Sequence, residues 1–382
     1  MISNPDLVRR STALRPVLQR HRQAGDEQRK LTDETVDALT GAGLLRAAVP
    51  SRFGGGECDL PTILAATREV ARADPSAGWV MMIFSSANWL SGLFEPAAQD
   101  EIYADGPDAH VCSVLTPHGT GRRADGGWIL SGNWAPASGC LHATWALLAF
   151  SRDAGGPGFA LVPTDELTVS TTWFTLGMRA TGSHLLIGEE IFVPDHRVLA
   201  LGPAVAGVRG TDVPRYRSAL VPTLTTCMIA PYLGIATAVL EHVVDHAEDK
   251  GIPGTRYERR SDSAAFQIAV ARAATNIDLV EMIGDRAAAT VDGHAAAGTH
   301  PDYATRARIR QHAGHAVQLC LSTVDELVTA SGSSALADSH PLQGYVRDIH
   351  TAARHAMANP AICAEAFGRA LLGTSTNITD LI

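Results

Sequence analysis

The C-terminal half carries three helical segments, over residues 219–248, 262–294 and 301–330, each longer than the usual globular helix. Helices of that length need a packed neighbour for stability, so the pattern predicts that they lie against one another as a bundle. Residues 342–356 read as a further helix, and Asn359-Pro360 precedes a short terminal one.

The other half divides in two. Residues 5–41 read as helical, with Leu7, Leu14, Leu18, Val36 and Leu39 at helix-like intervals and Thr32 placed to start a second helix. A Gly- and Pro-rich loop fills 48–61, a helix follows over 61–76, and the apolar stretch 77–94 reads as a buried helix. From about residue 107 the period changes. Short apolar runs alternate with turn signals such as Gly126-Gly127 and Gly155-Gly156, and Gly188-Glu189-Glu190 divides two further runs. The expected organisation is a helical domain over 1–106, a central β domain over 107–205 and a helical bundle over 206–382, mainly α overall. No GxGxxG follows a strand, so a dinucleotide-binding Rossmann site is not expected.

Composition narrows the function. The formal charge is -9 and no basic stripe stands out, which argues against a nucleic-acid partner. The six cysteines form no CxxC pair, and the most apolar stretch, 79–94, is short and interrupted by Ser85, Ser86 and Asn88. A cytoplasmic protein with no membrane span is expected. His242 and His246 lie i,i+4, but no third ligand accompanies them, and no metal site is expected.

Four passages carry a family resemblance over nearly the whole chain: GLLRAAVPSRFGG (43–55), TPHGTGR (116–122) with GGWILSGNWAPASG (126–139), SDSAAFQIAVARAATNIDLV (261–280) and HPLQGYVRDIHTAARH (340–355). Together they resemble the acyl-CoA dehydrogenase-like flavoproteins. The resemblance implies an N-terminal helical domain, a β-barrel-like central domain and a C-terminal four-helix bundle, with flavin between the last two and assembly as a homotetramer or homodimer. It also implies flavin contacts from Ser113, Thr116, Trp134 and Ser138, and from Arg260, Phe266 and Gln267 of the bundle.

The departures point to one branch. The segment GSSALADSHPLQGYVRD has no acidic residue where a dehydrogenase keeps its catalytic Glu, and Pro117 follows Thr116 where the family has Glu. Ser138-Gly139 and His355 are instead similar to the two-component monooxygenases. That branch takes reduced FMN or FAD from a separate NAD(P)H-dependent flavin reductase. With O2 it forms a C4a-hydroperoxyflavin that hydroxylates a small phenolic or polyketide-like aromatic substrate. The flavin does the oxygen chemistry, and the protein orients it and keeps it dry. On that resemblance His355 is the expected base or polar positioning group, Ser138 a donor to flavin N5 or to the peroxide oxygens, and Asn88 an orienting amide where some relatives carry His. His350, five residues from His355 on an assumed continuous helix, is expected to point elsewhere. Arg347 and Asp348 are expected to pair with each other. Three other readings stay open: an N-oxygenase of an amino sugar or other amine, an acyl-CoA dehydrogenase, and a silent flavin-fold assembly protein.

Overall fold

A computed structural model describes residues 2–382, save 154, 208–212, 375–377 and 380. Six helices come first: α1 (Pro5–Ala13), α2 (Arg15–Gln28), α3 (Asp33–Gly41), α4 (Leu60–Ala73), α5 (Pro75–Ser91) and α6 (Pro96–Ile102). Side-chain caps set several of their starts. Asn4, Thr32, Asp59 and Asp74 each accept a backbone N–H from the first turn that follows. α5 is apolar all round and buried on almost every side. α6 lies where the sequence reading has no element; Pro96 at its first position suits a helix start.

Seven strands follow: β1 (Val111–Ala124), β2 (Gly127–Ala137), β3 (Trp145–Arg152), β4 (Pro157–Pro163), β5 (Thr168–Ser170), β6 (His184–Pro194) and β7 (Val198–Ala200). They form one sheet in the order β5-β6-β2-β1-β3-β4-β7. This corrects the expected β-barrel-like domain, because the sheet is open and the architecture is mixed α and β. Closure needs the two edges to pair. Here the edges are β5 and β7, each three residues long and each bonded to a single neighbour. The divider expected at Gly188–Glu190 is also different. β6 runs through it, with a bulge where Leu130 pairs with Ile191 but Gly132 with Gly188. Glu190 takes a left-handed φ of 51° there, and its N–H is held by Ser131 Oγ.

The C-terminal part comprises α7 (Leu201–Val205), α8 (Leu220–Cys227), α9 (Ile229–Asp245), α10 (Ala264–Ala297), α11 (Tyr303–Ser331), α12 (Pro341–Ala352) and α13 (Pro360–Leu372). α9, α10 and α11 pack on one another, with α13 against α11 and α4 against α9. The segment expected as one helix over 219–248 divides at Met228. Pro231 supplies no N–H to the carbonyl of Cys227 and would crowd it, so the helix restarts. Leu220–Asp245 is long and apolar enough to cross a membrane by composition, yet 89% of its most apolar window is buried in the fold. It is a core element.

Buried ionisable groups give the fold a pH signature. Burial pushes His142, His242, His312 and His355 down to about 4. The folded state then binds fewer protons than the unfolded chain between about pH 4 and 6.5, so this stability is present above that window and is lost as pH falls through it. Burial pushes Asp74 up to about 6, which acts with the opposite sign. Burial also lowers His110, His184 and His340 and raises Asp285, Asp292 and Asp348, and with the imidazoles in the majority Tm is expected to drop on the order of 5 °C from pH 7 to pH 5. Scanning calorimetry at the two pH values checks this, and a Tm that rose on acidification would contradict it.

Candidate active site

A cavity of about 810 Å³ lies where α5, β1, the end of β2, the loop before β6, the start of α8 and the chain after α12 converge. Each wall has a local cause. On α5, Trp79, Met82, Ile83 and Ser86 line it. Their spacing of i, i+3, i+4 and i+7 is one helix face. On β1, the pairing with β3 is interrupted between Val114 and Gly119, and the excursion leaves Leu115 and Thr116 at the cavity beside Ser113.

At the end of β2 the wall is Ala135, Pro136 and Ser138. Gly139 follows with φ +79°, and a Cβ there would stand 2.7 Å from the Phe84 ring. Glycine thus lets this turn press against α5 and bring Ser138 under Trp79. Trp79 Nε1 donates to Ser138 Oγ at 3.2 Å, and the Trp79 ring lies 5.6 Å from the His355 ring.

His355 is not on a helix. α12 ends at Ala352, where Tyr232 Oη donates to the Ala352 carbonyl at 2.8 Å, and His355 caps the single turn Ala356–Ala358. Its Nδ1 accepts the Met357 N–H at 3.3 Å. A neutral imidazole so held carries its proton on Nε2. Burial keeps it neutral by lowering its pKa to about 4. The expectation that His350 points elsewhere rested on a continuous helix, and both histidines line the cavity. His350 Nε2 is engaged with Asp325 Oδ1 at 2.9 Å.

Of the residues expected from sequence, Ser113, Thr116, Ser138 and His355 come together here, and five others lie elsewhere. Asn88 is nine residues from Trp79, half a turn round α5. Its Nδ2 donates to the Leu45 carbonyl at 3.1 Å and its Oδ1 accepts from Tyr103 Oη at 3.2 Å, the satisfied pattern of a buried amide. Trp134 is 0% exposed, and its Nε1 donates to the Ala149 carbonyl at 2.7 Å. Phe266 is buried on α10, Gln267 Nε2 bonds the Ser261 carbonyl at 2.8 Å, and Arg260 bonds the Ser331 carbonyl. The sequence reading missed Trp79, Thr181, Ser183 and Met228. Helical projection of 79–94 from Trp79 would have found the α5 face.

The loop 172–178 supplies Trp173, Thr175, Leu176 and Met178 to the cavity, and α12 holds it. Gly177 N–H bonds Thr351 Oγ1 at 2.9 Å and Met178 N–H bonds Asp348 Oδ1 at 2.6 Å. Arg347 and Asp348 do not pair with each other, since successive helix positions diverge by about 100°. Arg347 reaches Asp26 at 3.0 Å, whereas Asp348 faces Arg22 at 3.4 Å.

The cavity therefore offers the hydroxyls of Ser113, Thr116 and Ser138 among several polar groups, with His350, Arg354 and His355 on the same lining, while most of its surface is apolar. That suits a planar ring system with one polar edge, as in a flavin. Layout and cavity define the class as an acyl-CoA dehydrogenase-like flavoprotein. Residues 8–94 match the acyl-CoA dehydrogenase N-terminal domain and residues 226–360 its C-terminal domain.

Within that class the chain belongs to the flavin-dependent monooxygenase oxygenase subunits. It is 32% identical over 373 residues to the flavin-dependent monooxygenase oxygenase subunit HsaA of Mycobacterium tuberculosis, covering 93% of this chain and 92% of that one. The structure of XiaF from Streptomyces sp. in complex with FADH2 and glycerol superposes with a TM-score of 0.93 at 35% identity, covering 98% of this chain and 96% of that one. The FADH2-dependent resorcinol hydroxylase oxygenase component of a Rhizobium species is 29% identical over 365 residues, 91% of this chain and 89% of that one. The chain is an enzyme, a flavin-dependent hydroxylase that works with externally supplied reduced flavin and O2.

Proposed function

We propose that the chain hydroxylates a phenolic or polyketide-like aromatic compound, using flavin reduced by a separate NAD(P)H-dependent reductase in the cytoplasm. The observation that carries this is the cavity, apolar round most of its wall, with His355 and Ser138 both on its lining and the His355 Nδ1 occupied as an acceptor, which leaves the proton on Nε2. FADH2 is the form we assign, because XiaF is complexed with FADH2 and the resorcinol hydroxylase is FADH2-dependent. When bound, the flavin supplies the electrons that activate oxygen.

The chain's own residues do the rest. Ser113, Thr116 and Ser138 hold the polar edge of the ring. Trp79, Met82 and Met228 keep the space dry, which protects the oxygen chemistry from water. His355 donates from Nε2 to the phenolic oxygen and so orients the ring carbon beside it. A neutral donor stabilises a developing phenolate, whereas a base with a pKa of about 4 removes a phenol proton poorly. Arg260, Phe266 and Gln267 contribute in an assembly, where α10 of one subunit meets the flavin of another. The α10 side chains Ile268, Leu279 and Met282 are exposed along one stripe, which suits self-association as a homodimer or homotetramer.

The test supplies chemically reduced FAD or FMN, 18O2 and a panel of phenols, amino sugars and acyl-CoA thioesters. The expected product is a phenol one hydroxyl richer, carrying a single 18O. Oxidation of the amines alone, or desaturation of a thioester without oxygen incorporation, would overturn the proposal.

A further inference from the structure

Behind Ser138 runs a line of hydroxyls. Ser138 Oγ lies 2.8 Å from Ser183 Oγ, and Ser183 Oγ lies 2.6 Å from Thr181 Oγ1. Thr181 Oγ1 in turn donates to the Met178 carbonyl at 2.8 Å. Trp79 Nε1 closes the other end by donating to Ser138.

Each hydroxyl has one proton, and a carbonyl can only accept. The Met178 carbonyl also accepts Trp173 Nε1 at 2.9 Å and Thr181 N–H at 3.2 Å, and with the Thr181 hydroxyl donating to it as well the other directions follow. The Thr181 proton goes to Met178, so the Ser183 proton must go to Thr181, and the Ser138 proton must go to Ser183. The Trp79 N–H takes one lone pair of Ser138. What remains for the cavity is the second lone pair of Ser138. Thr181 and Ser183 border the cavity too but are each 2% exposed, against 6% for Ser138, so Ser138 is the member of the line most open to a ligand.

We propose that Ser138 meets the flavin only as an acceptor, and that Thr181 and Ser183 are the positioning residues that keep it so. This rests on the reading above, in which the Ser138 wall faces N5 of the ring, and it reverses the donor role expected of Ser138 from sequence. The consequence is chemical. N5 of reduced flavin carries a hydrogen and donates, while N5 of oxidised flavin has only a lone pair. A lone pair held toward N5 attracts the first and repels the second. The hydroxyl line thus makes the site selective for the form that a reductase delivers, and it weakens the hold on the oxidised form that leaves.

Anaerobic equilibrium titration of the full chain with reduced FAD and with oxidised FAD tests this. The wild type is expected to bind the reduced form more tightly. Thr181→Val preserves shape but removes the hydroxyl that receives the Ser183 proton. Ser183 can then donate back to Ser138, freeing the Ser138 proton to turn toward N5. Oxidised FAD is expected to bind more tightly and the preference for the reduced form to fall roughly tenfold, the scale of one hydrogen bond. Ser183→Ala is expected to act alike, and Ser183→Thr to retain the wild-type preference. In a Ser138→Ala background Thr181→Val should change nothing, which a merely structural role would not reproduce.

An unchanged preference in both Thr181→Val and Ser183→Ala, or equal weakening of both flavin forms, overturns the hydroxyl line while leaving the flavin site standing. A wild-type chain that binds neither form overturns the flavin reading and this proposal with it.

Discussion

Asp348→Ala is expected to destabilise the protein by about 3–5 kcal/mol, the cost of removing one partner from a buried charge pair. Asp348 is 5% exposed and bonds two different parts of the molecule. One oxygen faces Arg22 of α2, whose guanidinium also lies 3.6 Å over the Tyr345 ring, and the other accepts Met178 N–H at 2.6 Å. The variant takes away one of the carboxylates that face Arg22, leaving Asp74 and Asp26 near it, and it leaves the Met178 N–H without its acceptor. It also loosens the loop that walls the cavity, so a raised KM for substrate is expected alongside the lost stability. Guanidinium unfolding gives the first effect and steady-state kinetics the second. Adding Arg22→Met to the variant removes the cation that lost a carboxylate and is expected to recover part of the loss. A cost below about 1 kcal/mol for Asp348→Ala would show that this ion pair does not hold the three parts together.

Much of the fold was legible because it depends on local chemistry. Bundle helices announce themselves by length and period, and a capping residue such as Thr32 announces a start. Sheet closure was not legible, because it depends on how long the edge strands are after packing. The lining of the candidate site was legible where a residue ends an element or sits at a break in strand pairing, as Ser113 and Thr116 do in β1. Ser138 lies just past β2 and His355 just past α12, where side chains are free to face a cavity. Within elements the local sequence was a poorer guide. Trp134 turns into the sheet because Gly119 and Gly132 leave room for its ring; a Cβ at Gly119 would lie 2.3 Å from it. The neighbours Ala135 and Pro136 take the cavity wall instead. Asn88 was expected at the site because some relatives carry His there, yet its partners are Leu45 and Tyr103, which only the tertiary structure brings near. The hydroxyl line had no sequence signal, since Ser138 and Ser183 are 45 residues apart.

His355→Ala is expected to lower kcat/KM for hydroxylation by about 10²-fold, the scale of one oriented donor in a dry site. Oxygen consumption should continue, with less product per reduced flavin, because His355 acts on the substrate and Ser138 on the cofactor. Two further measurements separate a positioning donor from a base. Glutamine can place an amide N–H near the Nε2 position but cannot accept a proton at neutral pH, so His355→Gln is expected to restore a large part of the rate if the residue donates. A base predicts no such rescue. The pH profile gives an independent answer. Burial lowers the His355 pKa to about 4, so the neutral donor is fully present above about pH 6 and the rate should show no His355 titration from there to pH 8. A rate that climbed through pH 6–7 in the wild type and lost that climb in His355→Gln would return the residue to the role of base. The Nδ1 bond from Met357 N–H argues for the first outcome, because it commits the imidazole to the tautomer that donates.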